Sequence, residues 1–129
     1  MRRLGRLTGG AMAALVWLAG LSAPLRAQDR GNPSAGKALF DSTCVACHGS
    51  NGKGDGPAAD SLNPKPRDLT NPSYVRSLSD QEIFDVIKGG GWSVKKSPLM
   101  PAWGHALKDK EIWNLVAYIR SLARQKPAQ

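Results

Sequence analysis

The stretch "TCVACHGS", Thr43 to Ser50, holds both cysteines of a 129-residue chain, with His48 directly after the second. Three chemistries use this pattern: a redox-active thiol pair, half of a zinc site, or a covalent attachment point for haem. Each comes with its own scaffold, so the choice among them decides the fold.

A thiol–disulfide catalyst places Cys-x-x-Cys at the head of a helix in a thioredoxin-like βαβ frame. Here no stretch alternates as a strand, and the motif follows a helical segment. A structural zinc needs four ligands, and outside the N-terminal leader the soft candidates are only Cys44, Cys47, His48 and His105. Adjacent Cys47 and His48 would have to reach one tetrahedral ion together, which is sterically awkward. Cys-x-x-Cys-His is the c-type haem signature: two thiols form thioethers with the vinyl groups, and the histidine sits under the iron. The rest of the chain supports that third reading from three directions.

The first is export. "MRRLGRL" supplies Arg2, Arg3 and Arg6, an apolar run follows from Ala11 to Leu21, and a small residue, Ala27, closes the segment. A basic start, a short apolar centre and a small residue before the cut predict a secretory signal peptide over 1–27 and a single domain over 28–129. The apolar run falls short of the roughly 20 residues that span a bilayer. Removing 27 residues leaves 102; it also removes four of the 18 basic residues and none of the 10 acidic ones, so the net charge falls from +8 to +4. That balance permits steering toward an acidic partner. It does not suggest nucleic acid, because no basic cluster is interleaved with aromatics, and Lys95-Lys96 reads as a solvated loop pair.

The second is an all-α pattern. Asn32-Pro33 caps a short helix to about Asp41, with Gly36 and Phe40 on one face. Ser79 and Glu82 form a capping box ahead of Ile83, Phe84 and Ile87, and Gly89 to Gly91 end that helix. The last helix runs from about Lys108 to Arg124, carrying Ile112, Leu115, Val116, Ile119 and Leu122 at helical spacing. Its start resembles that of the preceding helix but has Lys108 where the serine cap stood, which predicts a weaker beginning.

The third is two long loops, Gly49–Thr70 and Gly89–Gly104. Loops of this length are rare in so small a domain unless they are functional or disordered. Disorder suits the second one badly, because it holds Trp92, Leu99, Met100 and Trp103. A buried cofactor wrapped by both loops accounts for them and adds to a core that 102 residues alone build only marginally. Met100 stands between Pro98 and Pro101, and with Met1 and Met12 in the leader it is the methionine left to serve as sixth iron ligand. Histidine–methionine ligation raises the reduction potential.

With these residues in place, the chain from Pro33 to Leu122 resembles the class I c-type cytochromes. The likeness rests on "CVACH", on Gly56-Pro57, on "MPAWG" from Met100 and on "EIWNLVAYIRSL" from Glu111. It implies N- and C-terminal helices that cross, with Gly36 and Phe40 near Tyr118. It also implies one haem c held by Cys44 and Cys47, with iron bound by His48 and Met100. By the same resemblance the Pro57 carbonyl accepts a hydrogen bond from the His48 imidazole, which would orient it. The segment "GGGWSVKK" departs from the family pattern and leaves the pocket edge undefined.

Arg67 is a candidate partner for a haem propionate, and Trp103 or Trp92 for either an indole hydrogen bond or packing on the porphyrin. His105 reads as a residue preceding the last helix, and Asp55 and Asp60 as turn residues. The expected function is a periplasmic one-electron carrier, not itself an enzyme, serving an oxidase, a respiratory complex or a dehydrogenase. The alternative is a haem-based gas sensor or peroxidase with a labile sixth ligand. A colourless thiol or zinc module is the remaining rival.

Overall fold

The computed structural model describes residues 31–125, and the expected signal peptide over 1–27 lies outside them. Five helices follow in order: α1 (Pro33–Thr43), α2 (Val45–His48), α3 (Pro72–Arg76), α4 (Asp80–Ser93) and α5 (Asp109–Leu122). A single 3₁₀ turn, Ala59–Ser61, interrupts the first loop, and there is no strand among the described residues.

Local chemistry sets each start. The Asn32 carboxamide oxygen accepts from the Ser34 and Ala35 N–H groups at 2.9 and 3.1 Å, with Pro33 opening α1 where no donor is needed. Asn71-Pro72 repeats the device, accepting from Ser73 and Tyr74 at 3.0 and 3.1 Å to begin α3. At α4 the capping box closes in both directions: Ser79 Oγ accepts from Glu82 N–H at 3.1 Å, and Glu82 Oε2 from Ser79 N–H at 2.7 Å. At α5 only half of it exists. Glu111 Oε2 accepts from Lys108 N–H at 2.8 Å, while an ammonium has no lone pair to return the bond.

The fold is organised by α1 crossing α5. A methyl group on Gly36 would lie 1.9 Å from the Asn114 carbonyl oxygen, so only glycine permits this approach. Phe40 meets Tyr118 edge-on at 5.2 Å between ring centroids, where the resemblance places the contact. Asn114, a buried polar residue, is satisfied by the Asn32 N–H at 2.7 Å. The apolar stripe of α5 then fills the interior: Ile112 and Leu115 are buried, with Val116 and Ile119, against Phe40, Val75, Ile83, Phe84 and Ile87. Each such side chain contributes about 1.5–3 kcal/mol when fully buried. Arg120 ties α5 to the turn between α3 and α4. Its guanidinium donates to the Val75 and Leu78 carbonyls and pairs with Asp80 at 2.6 Å.

Three features depart from the sequence reading. The haem-motif residues Val45–His48 are themselves a short helix, and α3 occupies what was read as plain connection. The triple glycine does not end α4: the helix breaks at Gly90, at φ 75° and ψ 171°, and resumes to Ser93.

Candidate haem site

Between α2, α3, α4 and the two loops lies one cavity of about 430 Å³. That is within the roughly 300–1,000 Å³ of small-molecule and cofactor pockets. Cys44 at the junction of α1 and α2, Cys47 and His48 from α2, Arg67 from the first loop, and Met100 and Trp103 from the second all line it. Tyr74, Val75, Leu78, Ile87, Leu115 and Ile119 supply much of its apolar wall. Six of the seven residues singled out from sequence therefore share one wall system.

The seventh does not. Pro57 is exposed and outside the cavity lining. Its turn is locked onto the backbone of α2, because Gly56 N–H donates to the Cys47 carbonyl at 3.2 Å and Ala58 N–H to that of Ala46 at 2.9 Å. No hydrogen bond from His48 to the Pro57 carbonyl closes, since His48 Nδ1 is buried without any partner. The backbone that bears on the imidazole is that of Arg67, further along the same loop, and it stops short of a hydrogen bond to Nδ1.

Burial pushes the His48 pKa below the ordinary histidine value of 6.5, with the Arg67 backbone opposing it in part. Burial thus favours the neutral ring, the form that binds a metal. Burial likewise raises the Cys44 thiol, offset in part by the Thr43 hydroxyl at 3.3 Å from Sγ. A catalytic or redox thiol needs the opposite shift. Both cysteines are half-buried in the cavity wall.

The rim carries charge of one sign. Lys65, Arg67, Lys95 and Lys96 line the cavity and no carboxylate does. Lys65 is paired with Asp60 at 2.6 Å. Arg67 and Lys96, from different loops, both stand over the Tyr74 ring, at 5.6 and 6.0 Å from its centroid. Tyr74 escaped the sequence reading, and Lys96 was read there as half of a solvated loop pair. The Asn-Pro cap ahead of Tyr74 was a usable signal; nothing local marks Lys96, which only the folded loop brings to the rim. Trp92 is 79% exposed and outside the cavity lining, so of the two tryptophans only Trp103 faces the pocket. His105 is exposed and also outside the lining. No cluster of three or more histidine, cysteine or acidic groups suited to a metal ion occurs among the described residues.

A Cys-x-x-Cys-His helix opening on an apolar cavity, in an all-α frame built on crossed terminal helices, defines a c-type haem protein. The chain belongs to the cytochrome c family, whose sequence profile, described as Cytochrome c, matches residues 33–123. Membership implies covalently bound haem and an electron-transfer role, and Cys44 and Cys47 are the only cysteines in the chain. It is 31% identical over 94 residues to cytochrome c-554(547) of Halothiobacillus neapolitanus, covering 71% of this chain and 98% of that one. It is 27% identical over 106 residues to the cbb3-type cytochrome c oxidase subunit CcoP of Azospirillum brasilense, covering 82% of this chain. The chain spans about a third of the length of that protein, 34%. The solved structure of the KustC0563 c-type cytochrome has the same fold: the TM-score is 0.57 at 24% identity, over 67% of this chain and 95% of that one.

Proposed function

We propose that this chain is an exported, single-haem electron carrier, with haem bonded through Cys44 and Cys47 and iron held between His48 and Met100. The observation that carries this reading is convergence: both thiols, the imidazole and the thioether line one apolar cavity, although 52 positions separate His48 from Met100. The donor set fits the group: a half-buried imidazole, a soft thioether sulfur and two thiols line the same cavity.

Bound haem supplies one-electron exchange between ferric and ferrous iron. The protein supplies the rest. Burial favours the neutral form of His48, the thioether of Met100 as a ligand would favour the reduced state, and the apolar wall would limit water at the centre. Arg67 and Lys96, both in the cavity lining, would be the cations available to pair with the haem propionates. With His48 and Met100 both holding the iron, no position would remain open for a substrate, which would favour a carrier over an enzyme. The leader-like segment over 1–27 supports a periplasmic location, where haem attachment and oxidases both operate. No helix among the described residues is long and apolar enough to cross a membrane. The likeness to oxidase subunits makes a terminal oxidase the favoured partner, reached as a free carrier or as a subunit; a respiratory complex or a dehydrogenase would use the same surface.

The test is the visible and near-infrared spectrum of the oxidised full chain, produced in cells that attach haem. We expect a haem spectrum with the weak far-red band of methionine–iron(III) ligation, lost in Met100→Ala. A haem spectrum lacking that band in the wild type overturns the Met100 assignment in favour of a labile sixth position. A colourless protein overturns the whole reading.

A further inference from the structure

The segment "GGGW", Gly89 to Trp92, is where α4 breaks, and the loop bearing Met100 lies directly on it. The contact is backbone on backbone. Gly91 N–H donates to the Met100 carbonyl at 3.1 Å, and the Gly91 carbonyl accepts from Lys96 N–H at 2.7 Å. Further back along the helix the Ile87 carbonyl accepts from Trp103 N–H at 2.9 Å, and that of Lys88 from Gly104 N–H at 3.0 Å. Residues 96–104 are thus clipped to 87–91 on both sides of Met100. Proline at 98 and at 101 removes two donors that could otherwise anchor the loop to itself.

This approach is possible only without side chains. A methyl group on Gly91 would lie 1.9 Å from the Ser97 carbonyl oxygen. One on Gly90 would lie 2.8 Å from the Met100 carbonyl oxygen and 2.9 Å from Ala102 N, and Gly90 has φ 75°, a conformation costly for other residues. Gly89 is different in its partner: a methyl group there would lie 2.4 Å from Ser93 Oγ and 2.7 Å from its Cβ, a clash within α4 that does not touch the Met100 loop.

We infer that Gly90 and Gly91 form the positioning seat of Met100, setting how far its thioether reaches into the cavity. The inference rests on the reading of Met100 as an iron ligand. Relieving the Gly91 clash moves the Ser97–Met100 segment by about 1 Å, from 1.9 Å to an allowed contact. Metal–ligand distances are held to about 0.2 Å, so a displacement of that size would draw the thioether away from where a bound iron would need it.

The experiment uses the haem-loaded full chain as wild type, Gly91→Ala, Gly90→Ala and Gly89→Ala, together with Gly91→Ala in a Met100→Ala background. The readouts are the far-red band of the ferric protein, carbon monoxide binding by the ferrous protein, and the midpoint potential. Gly91→Ala and Gly90→Ala are expected to lose the band, bind carbon monoxide and fall in potential, while Gly89→Ala keeps the wild-type values. In the Met100→Ala background Gly91→Ala should change none of the three further, because a positioning residue acts only through the group it positions. A Gly91→Ala protein with the band intact and no carbon monoxide binding overturns the inference and leaves Met100 as ligand. Absence of the band in the wild type overturns the ligand reading and this inference together. If Gly91→Ala does not take up haem, Gly90→Ala is read in its place by the same criterion.

Discussion

The Glu82 carboxylate stands at the third residue of α4 and accepts from the Ser79 N–H, which holds its pKa below the ordinary value of 4.5, with Lys96 adding a smaller pull. A carboxyl group depressed by folding stabilises the fold above its unfolded pKa, and that stability is lost as pH falls through the folded one. Replacing Glu82 by Gln keeps an acceptor but removes the charge. The thermal midpoint of Glu82→Gln should therefore lie below that of the wild type at pH 6–7, and the gap should close on acidification below about pH 4.5. A gap independent of pH would assign the effect to shape alone. Single residues were also where the sequence was most readable. Cys44, Cys47 and His48 carry a spacing with one good chemical explanation, and Met100 is marked by its flanking prolines. Pro57 shows the limit: Gly-Pro identifies a turn, but which carbonyl that turn offers to His48 depends on how the loop docks.

Among the elements, the α1–α5 crossing depends on a glycine. Gly36→Ala forces a methyl group against the Asn114 carbonyl, and the helices must separate. Overpacking of this kind costs about 1–3 kcal/mol, which chemical denaturation of the holoprotein will measure. Exposed Ser34→Ala on the same helix should change stability by less than about 0.5 kcal/mol. Equal effects at the two positions would remove Gly36 from its role in the crossing. Helices α1 and α4 were legible because cap and apolar spacing agree, and α5 because its apolar stripe is long enough to register without a side-chain cap. Five-residue α3 carries too few turns for a period to register, although Asn71-Pro72 repeats the cap of Asn32-Pro33. The break at Gly90 was read as a stop. A glycine pair that ends a helix and one that receives a loop look alike in sequence, because the loop's contact is not local.

On the scale of the whole molecule, the rim of the cavity carries Lys65, Arg67, Lys95 and Lys96 with no carboxylate among its lining residues. Such a surface attracts acidic partners through a field that salt screens over about 10 Å at 0.1 M. Electron exchange with an acidic redox protein, followed by stopped flow, should slow by roughly tenfold or more between low salt and about 0.5 M. Reversing Lys95 and Lys96 to Glu should flatten that dependence. A rate indifferent to salt in the wild type would place docking on another face.

The sequence by itself determined the helical class and the Cys-x-x-Cys-His motif, which follow from short-range rules of helical spacing, capping and side-chain chemistry, while the crossing of the terminal helices came from the family resemblance. Tertiary structure alone decided that Lys96 and Arg67 meet over Tyr74, that Trp92 faces outward while Trp103 faces the cavity, and that Gly90 and Gly91 receive the Met100 loop. Each of these is a meeting of segments far apart in the chain, and their positions are set by close packing across the whole core, which no local pattern encodes.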